Sequence, residues 1–329
     1  MLSMTPKTIL DLSRNFMESR ILLTGAELGL FDLLASKPLS AEELAAKIKG
    51  NLRALTIILD ALAAMELLVK KGGKYFCPPP LSAFLSKNTP ESILAMVHHM
   101  AHVWQRWSKL TAMVEENEDP GNVPESQEAN QIPAFIDAMH VIAARLAPGI
   151  VAAVGAGKVR NLLDVGGASG TYTLAFLQAV PEMKATLFDR PEVVEMARKR
   201  LGEAGVLDRV ALVGGDFYRD EFPPGHDLAF VSAIIHQNSP EQNLDLYQKG
   251  FRALVPGGRI VIRDHIMEPD RTQPRDGAIF AVNMLVGTSG GNTYTYEEVH
   301  SGLEQAGFTR IRLLRKGERM DGLVEGFKP

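Results

Sequence analysis

Cysteine is all but missing from this chain of 329 residues, with Cys77 its single example. No internal disulfide is therefore possible, and the reducing cytoplasm is the expected compartment. Cys77 precedes Pro78, Pro79 and Pro80 and reads as an inert packed thiol. An excess of positive charge is missing too, since 35 Lys and Arg face 39 Asp and Glu for a formal net charge of −4. General affinity for nucleic acid draws on concentrated basic charge, so no nucleic-acid partner is expected. No stretch approaches the ~18 apolar residues of a membrane span, and charges run through residues 1–20, so no membrane association is expected. The H-E-x-x-H pattern is absent. His98 and His102 stand four apart on a helical stretch, but no third ligand lies near them in sequence, and no metal is expected. What remains is a chain with 46% hydrophobic residues and 29 glycines, long enough for two domains with proper cores.

From Thr8 to about Phe84 apolar residues recur at helical spacing, as in Ile21, Leu22, Leu28, Phe31 and Leu34. Ser40 with Glu43 forms a capping box that opens a short helix. A longer apolar helix follows over 52–68, and the glycines of 72–73 fold 69–76 into a two-stranded hairpin. Helix, short helix, helix, hairpin is the order of a winged helix. Its would-be recognition helix offers only Arg53 as a cation and is otherwise rich in Leu, Ile and Ala, which suits packing or dimerisation better than phosphate contact. A Met-, His- and Trp-rich helical stretch spans 92–110. Polar residues 115–131, broken by Pro120, Gly121 and Pro124, read as a loop, and Pro148-Gly149 as a loosening of the chain before a second domain.

After Val159 the rhythm becomes strand, turn, helix. Short apolar runs at 161–165, 184–188, 210–213, 228–231 and 259–262 alternate with helical patterns, which predicts a parallel sheet with helices on both faces. Phe308 to Leu314 and Gly322 to Phe327 are close enough in sequence to pair as an antiparallel edge. The expected division is a helical dimerisation domain over 1–110, a helical linker contributing to the substrate pocket over 111–158, and an α/β catalytic domain over 159–329.

The first strand runs into Asp164-Val-Gly166-Gly167-Ala168-Ser169-Gly170 just ahead of a helix. Small residues there let the backbone turn sharply and approach a ligand at the carboxyl end of the sheet. The spacing does not fit G-x-G-x-x-G, the pyrophosphate fingerprint, and suits a nucleoside lacking pyrophosphate. Asp189 at the second strand end can accept both ribose hydroxyls. Asp216, after the third, can meet an adenine amino group while Phe217 covers the ring. One such acid is commonly a turn former; three at successive strand ends beside a glycine turn indicate a site.

The segments Leu163-Asp-Val-Gly-Gly-Ala-Ser-Gly170, Phe188-Asp-Arg-Pro191, Gly214-Gly-Asp-Phe217, Ile235-His236 and Pro256-Gly-Gly-Arg-Ile-Val-Ile262 resemble those of the S-adenosylmethionine-dependent O-methyltransferases of the caffeic acid and hydroxyindole (acetylserotonin) type. The resemblance covers nearly the whole chain. It implies a class I methyltransferase Rossmann-like fold behind a winged-helix dimerisation domain, a homodimer, and S-adenosylmethionine as cofactor with S-adenosylhomocysteine as product. It implies no metal, and methyl transfer to a hydroxyl of a small aromatic acceptor. Matching positions assign cofactor contacts to Gly166, Asp189, Asp216 and Phe217, and Ser232 stands where the family often has a lysine, four residues ahead of its histidine. By the resemblance Phe135, Met139 and Met284 match acceptor-pocket positions, and Trp107 and Phe280, with Met96, Met100 and Trp104, are placed near that pocket or the cofactor's methionine end. Two departures accompany these matches: Gly290-Gly291 is followed by Asn292-Thr293 rather than a glutamate, and His236 is followed by Gln237 rather than Asp. C- or N-methylation, S-adenosylmethionine chemistry without methyl transfer, and a ligand-sensing winged-helix regulator are the alternative readings.

His236 follows the fourth strand, where a side chain faces the ligand crevice, and matches the family's catalytic base. A phenol with a pKa near ~10 needs a positioned imidazole to lose its proton at neutral pH. Asp264, at the end of the fifth strand, matches an acid that orients that histidine, accepting its other ring N–H and fixing the tautomer.

Overall fold

Seven strands gather the apolar runs after Val159 into one sheet. They are β1 (Asn161–Val165), β2 (Lys184–Asp189), β3 (Val210–Gly214), β4 (His226–Ser232), β5 (Leu254–Asp264), β6 (Thr309–Arg315) and β7 (Gly322–Phe327), in the spatial order β6-β7-β5-β4-β1-β2-β3. The computed structural model describes residues 4–87, 89, 91–116 and 125–329, and for residues 116, 125–135 and 138 the backbone alone. β1 to β5 run parallel, while β7 lies antiparallel between β5 and β6, which forms the expected edge hairpin. From β1 the chain first moves outward through β2 and β3, then crosses back to β4. The carboxyl ends of β1 and β4 therefore border the topological switch point, where open α/β sheets hold ligands.

Both faces of the sheet are covered. One packs Val151, Phe176, Leu187, Leu201, Phe230 and Val261 under helices Glu125–Val154, Thr171–Ala179 and Pro191–Glu203. The other packs Val165, Ile235, Leu246, Ile260, Ile262 and Leu303 under helices Pro240–Ala253 and Tyr296–Gln305. Each fully buried aliphatic or aromatic side chain contributes roughly 1.5–3 kcal/mol, so strands buried on both faces need no polar alternation. The capping boxes at Ser239 with Gln242 and Thr295 with Glu298 both form, satisfying donors at each helix start.

One expectation fails on this face. Residues 125–131 belong to a helix rather than a loop, and that helix runs unbroken through Pro148-Gly149 to Val154. Ala147, Ile150, Val151 and Val154 are buried in the sheet's core. Their burial outweighs the single hydrogen bond that a proline forfeits and the entropy cost of a mid-helix glycine. Residues 117–124 of the expected loop lie outside the described residues.

The chain divides into two compact units, Met1–Trp104 and Gln105–Pro329. In the first, helices Phe16–Glu27, Leu30–Ala35, Ala41–Ile48 and Leu52–Ala64 precede the hairpin Val69–Lys71 and Lys74–Phe76, with Leu39–Ser40 as a third strand. This is the winged-helix order. Ser40 and Glu43 close the predicted capping box, and Phe31, Leu34, Leu44, Leu59, Leu62 and Tyr75 fill the core. Trp104 packs against Phe16 with ring centroids 6.0 Å apart. Cys77 is buried, and burial pushes its thiol up to about 11, which makes it the inert thiol that the sequence suggested. The first helix, Pro6–Arg14, buries none of its residues and presents Ile9, Leu10 and Leu12 to solvent. Among the described residues no helix is long and apolar enough to cross a membrane.

Candidate active site

The turn after β1 is built from backbone that few residues adopt. Gly166, Ala168 and Gly170 have φ of 64°, 48° and 77°, a left-handed region that glycine enters freely and alanine only when held there. What holds Ala168 is Asp189, whose Oδ2 accepts the Ala168 N–H at 2.8 Å while Oδ1 accepts the N–H of Arg190 at 2.7 Å. Burial raises the Asp189 carboxyl, against these two backbone donors that lower it. Each oxygen keeps a further lone pair, so the carboxylate can still take up a pair of hydroxyls. Gly167 is required for space, because a Cβ there would meet Leu187 Cγ at 2.6 Å.

Asp164 faces inward, fully buried, and accepts the Thr173 hydroxyl at 2.5 Å. Burial pushes its carboxyl up to about 7. It therefore props the turn from beneath. Asp216 sits two residues beyond the end of β3 and accepts the Tyr218 N–H through Oδ1 at 2.9 Å, an Asx turn that leaves Phe217 half-buried beside Tyr218, rings 4.6 Å apart. A turn of small residues that lets backbone approach a ligand closely, a carboxylate with spare acceptor capacity, and an acid with an adjacent aromatic ring together suit a nucleoside such as S-adenosylmethionine carries.

β4 ends at Ser232, and Ala233 (φ 57°) swings the chain into a short 3₁₀ turn, Ile235–Gln237. That turn is fixed by buried amides. Asn243 donates to the Ile235 carbonyl at 2.9 Å, Asn238 donates to Asn243 at 3.0 Å, and the Tyr218 and Tyr294 hydroxyls donate to the side-chain and backbone oxygens of Asn238. Gly291 passes so close that a Cβ would lie 2.5 Å from the His236 carbonyl. In consequence His236 is held with Nδ1 2.9 Å from both oxygens of Asp264, an acid with no exposed surface. Burial raises the Asp264 carboxyl, but the charge and hydrogen bond of His236, with the His265 N–H, outweigh it and hold it low. The ionised carboxylate claims the Nδ1 proton, leaving Nε2 as a lone-pair acceptor. No described residue bonds Nε2, and Thr293, where the family pattern has its second acid, is buried with its carbonyl accepting from Arg271.

Phe280, on helix Arg275–Leu285, stands edge-on to the His236 ring at 4.9 Å and against His265 at 5.0 Å. Trp107 donates its indole N–H to Asn283 of the same helix at 2.9 Å, and Met284 is buried there. Trp107 is thus tied to the helix that carries Phe280 and Met284. Met139 is half-buried on helix Glu125–Val154 with no such link, and the side chain of Phe135 lies outside the described residues. Ser232 accepts a hydrogen bond from Arg263 Nη1 at 3.1 Å. Sequence reasoning passed over Arg263, Asn238 and Asn243. The legible trace of the first was a charge ending the apolar run Ile260-Val-Ile262. Among the described residues no group of three His, Cys, Asp or Glu is gathered as a metal site would need.

Comparisons with known proteins find similarity to methyltransferases along the chain. Residues 125–309 match an O-methyltransferase domain, and residues 10–88 match an O-methyltransferase dimerisation domain. The chain is 29% identical to a 3-hydroxy-5-methyl-1-naphthoate 3-O-methyltransferase of Streptomyces sahachiroi, covering 98% of this chain and 95% of that one. It is 26% identical to the acetylserotonin O-methyltransferase of Gallus gallus, over 97% and 96% of the two chains. The solved structure of PigF with SAH superposes with a TM-score of 0.89 at 25% identity, covering 99% of this chain and 100% of that one.

Proposed function

Because the chain belongs to the O-methyltransferase family, we propose that it transfers a methyl group from S-adenosylmethionine to a hydroxyl of a small aromatic acceptor, with His236 as general base. The observation that carries this reading is the buried His236–Asp264 pair, whose Nε2 is left without a partner beside Phe280. When bound, the cofactor supplies a methyl carbon made electrophilic by its sulfonium. Gly166, Gly167 and Gly170 would lie along it, Asp189 on the ribose, Asp216 and Phe217 at the adenine, with Asp164 supporting the turn and Ser232 near the amino-acid end.

His236 Nε2 takes the acceptor's hydroxyl proton as the oxygen becomes nucleophilic. Asp264 keeps the ring in the needed tautomer and stabilises the imidazolium that results. Proton transfer of this kind contributes typically ~10²–10⁴-fold. Trp107, Phe280 and Met284, with Phe135 and Met139, would form an apolar wall that suits a flat ring and excludes water; methionine adapts to aromatic faces. Two relatives named for aromatic acceptors, a hydroxynaphthoate and acetylserotonin, support that substrate class.

The partner is a second copy of the chain. Residues 1–110 would form the dimerisation domain, which includes the stretch 10–88 that matches such a domain; residues 111–158 would link it to the catalytic domain over 159–329 and contribute to the substrate pocket. A single buried thiol suits a cytoplasmic enzyme.

Two variants test the site. His236→Ala should bind S-adenosylhomocysteine within twofold of wild type in calorimetry, yet release it ~10²–10⁴-fold more slowly from S-adenosylmethionine with an accepted phenol, hydroxyindole or hydroxynaphthoate. Full turnover without the imidazole overturns the base assignment. Asp189→Ala should weaken S-adenosylhomocysteine about 10–100-fold, the loss expected for hydrogen bonds to a charged acceptor, and unchanged affinity overturns the ribose assignment.

A further inference from the structure

Two arginines of β5 point to the same face of the sheet and meet opposite fates. Arg259 is fully engaged: Glu325 lies 2.7 Å from its Nη1, and its Nη2 donates to the carbonyls of Val154 and Gly155. Arg263, four residues on, is 5% exposed and has no carboxylate within salt-bridge distance among the described residues. Its Nη1 donates to the Ser232 hydroxyl at 3.1 Å, and its guanidinium lies 5.3 Å from the centre of the Tyr172 ring. Among the described residues its Nε has no acceptor, and neither does the buried Tyr172 hydroxyl. The nearby acid Asp321 is taken by Arg315 at 2.6 Å.

A guanidinium taken out of water without a counter-charge is unfavourable, and a neutral hydroxyl and a ring face compensate it only in part. The place of this charge is telling. Ser232 and Arg263 are register partners at the carboxyl ends of β4 and β5, and Tyr172 is the second residue of the helix that the glycine turn opens. The switch-point crevice thus ends in a buried cation and two hydroxyls. An anion completes the set.

We propose that Arg263 binds the carboxylate of the amino-acid portion of S-adenosylmethionine. The proposal rests on the cofactor assignment and adds to it the residue that distinguishes the whole cofactor from its nucleoside part. A planar guanidinium presents paired donors to a planar carboxylate, and the pair is strongest where water is excluded. Ser232, which by itself carries no charge for this purpose, orients the cation from the neighbouring strand.

Calorimetry with two ligands tests this. S-adenosylhomocysteine carries the amino-acid carboxylate, and 5′-methylthioadenosine keeps adenine, ribose and thioether without it. Arg263→Met should weaken S-adenosylhomocysteine about 30-fold or more, the loss typical of removing one partner of a buried charged pair, and should leave 5′-methylthioadenosine within twofold. Arg263→Lys should lose about 3–10-fold on S-adenosylhomocysteine alone, since a point charge replaces a fork. This variant carries the test if the methionine variant does not fold. Equal losses on both ligands, or no loss on S-adenosylhomocysteine, overturn the proposal. If the wild-type protein binds neither ligand, the cofactor assignment fails instead.

Discussion

Asp164 and Asp264 end strands of the same sheet, are equally buried, and have carboxyls displaced in opposite directions. The difference lies in their partners. Asp264 receives an imidazole N–H and a backbone N–H, and a charge of opposite sign forms beside it during the reaction. Its replacement Asp264→Asn keeps the volume but loses the charge, so turnover should fall by about 10²-fold or more while S-adenosylhomocysteine binding stays unchanged; parallel loss of binding would assign Asp264 to the cofactor instead. Asp164 receives the Thr173 hydroxyl and backbone N–H, but burial and the nearby charge of Asp189 outweigh them, and it is raised from 3.8 to about 7. A carboxyl with a raised folded pKa supports the fold while protonated; that support is whole below 3.8 and is lost as pH climbs through 7. Asp164→Asn, neutral throughout, should therefore gain on the wild type between about pH 5 and about pH 8, by a few kcal/mol at ~1.4 per pKa unit. Urea midpoints of the two proteins at both pH values check the sign, and a constant difference counts against it.

At the scale of the element, the glycine turn was readable because its chemistry is local. Gly166, Gly170 and the strand-end acids sit within a few residues of the structure they create, and the helix caps at Ser40, Ser239 and Thr295 are just as local. The long helix was not readable in the same way. Pro148 and Gly149 are local signals for a break, and they are overruled by burial against a sheet whose strands come later in the chain. Arg263 and Ser232, 31 residues apart, became neighbours only through the register of β4 with β5. The turn also gives a sharp prediction. Gly166→Ala would place a Cβ 2.2 Å from Ile234 Cδ1 at a φ of 64°, so it should cost about 1–3 kcal/mol of stability. It should also disturb His236, two residues beyond Ile234. A melting temperature lowered by several degrees, with a loss of turnover, is the expected outcome.

For the whole molecule the open question is assembly. Helix Pro6–Arg14 exposes Ile9 and Leu12, three apart on one face, and Phe16 and Met17 follow them, each about half exposed. An apolar stripe of that kind at the start of a matched dimerisation domain is the surface that a second copy would cover. Sedimentation of the wild-type protein should give a dimer, and the double substitution Ile9→Glu with Leu12→Glu should shift it toward monomer. The urea midpoint of the catalytic domain should not change. A double variant that remains fully dimeric would place the interface elsewhere.

The buried thiol of Cys77 has a practical bearing on that question. With its thiolate suppressed at neutral pH and its sulfur out of reach, the native chain is silent toward maleimides and nitroxide reagents. A cysteine introduced by Met17→Cys or Arg53→Cys becomes the sole labelled position in each copy, and pulsed electron resonance between two such labels reads the subunit separation without removing any native residue.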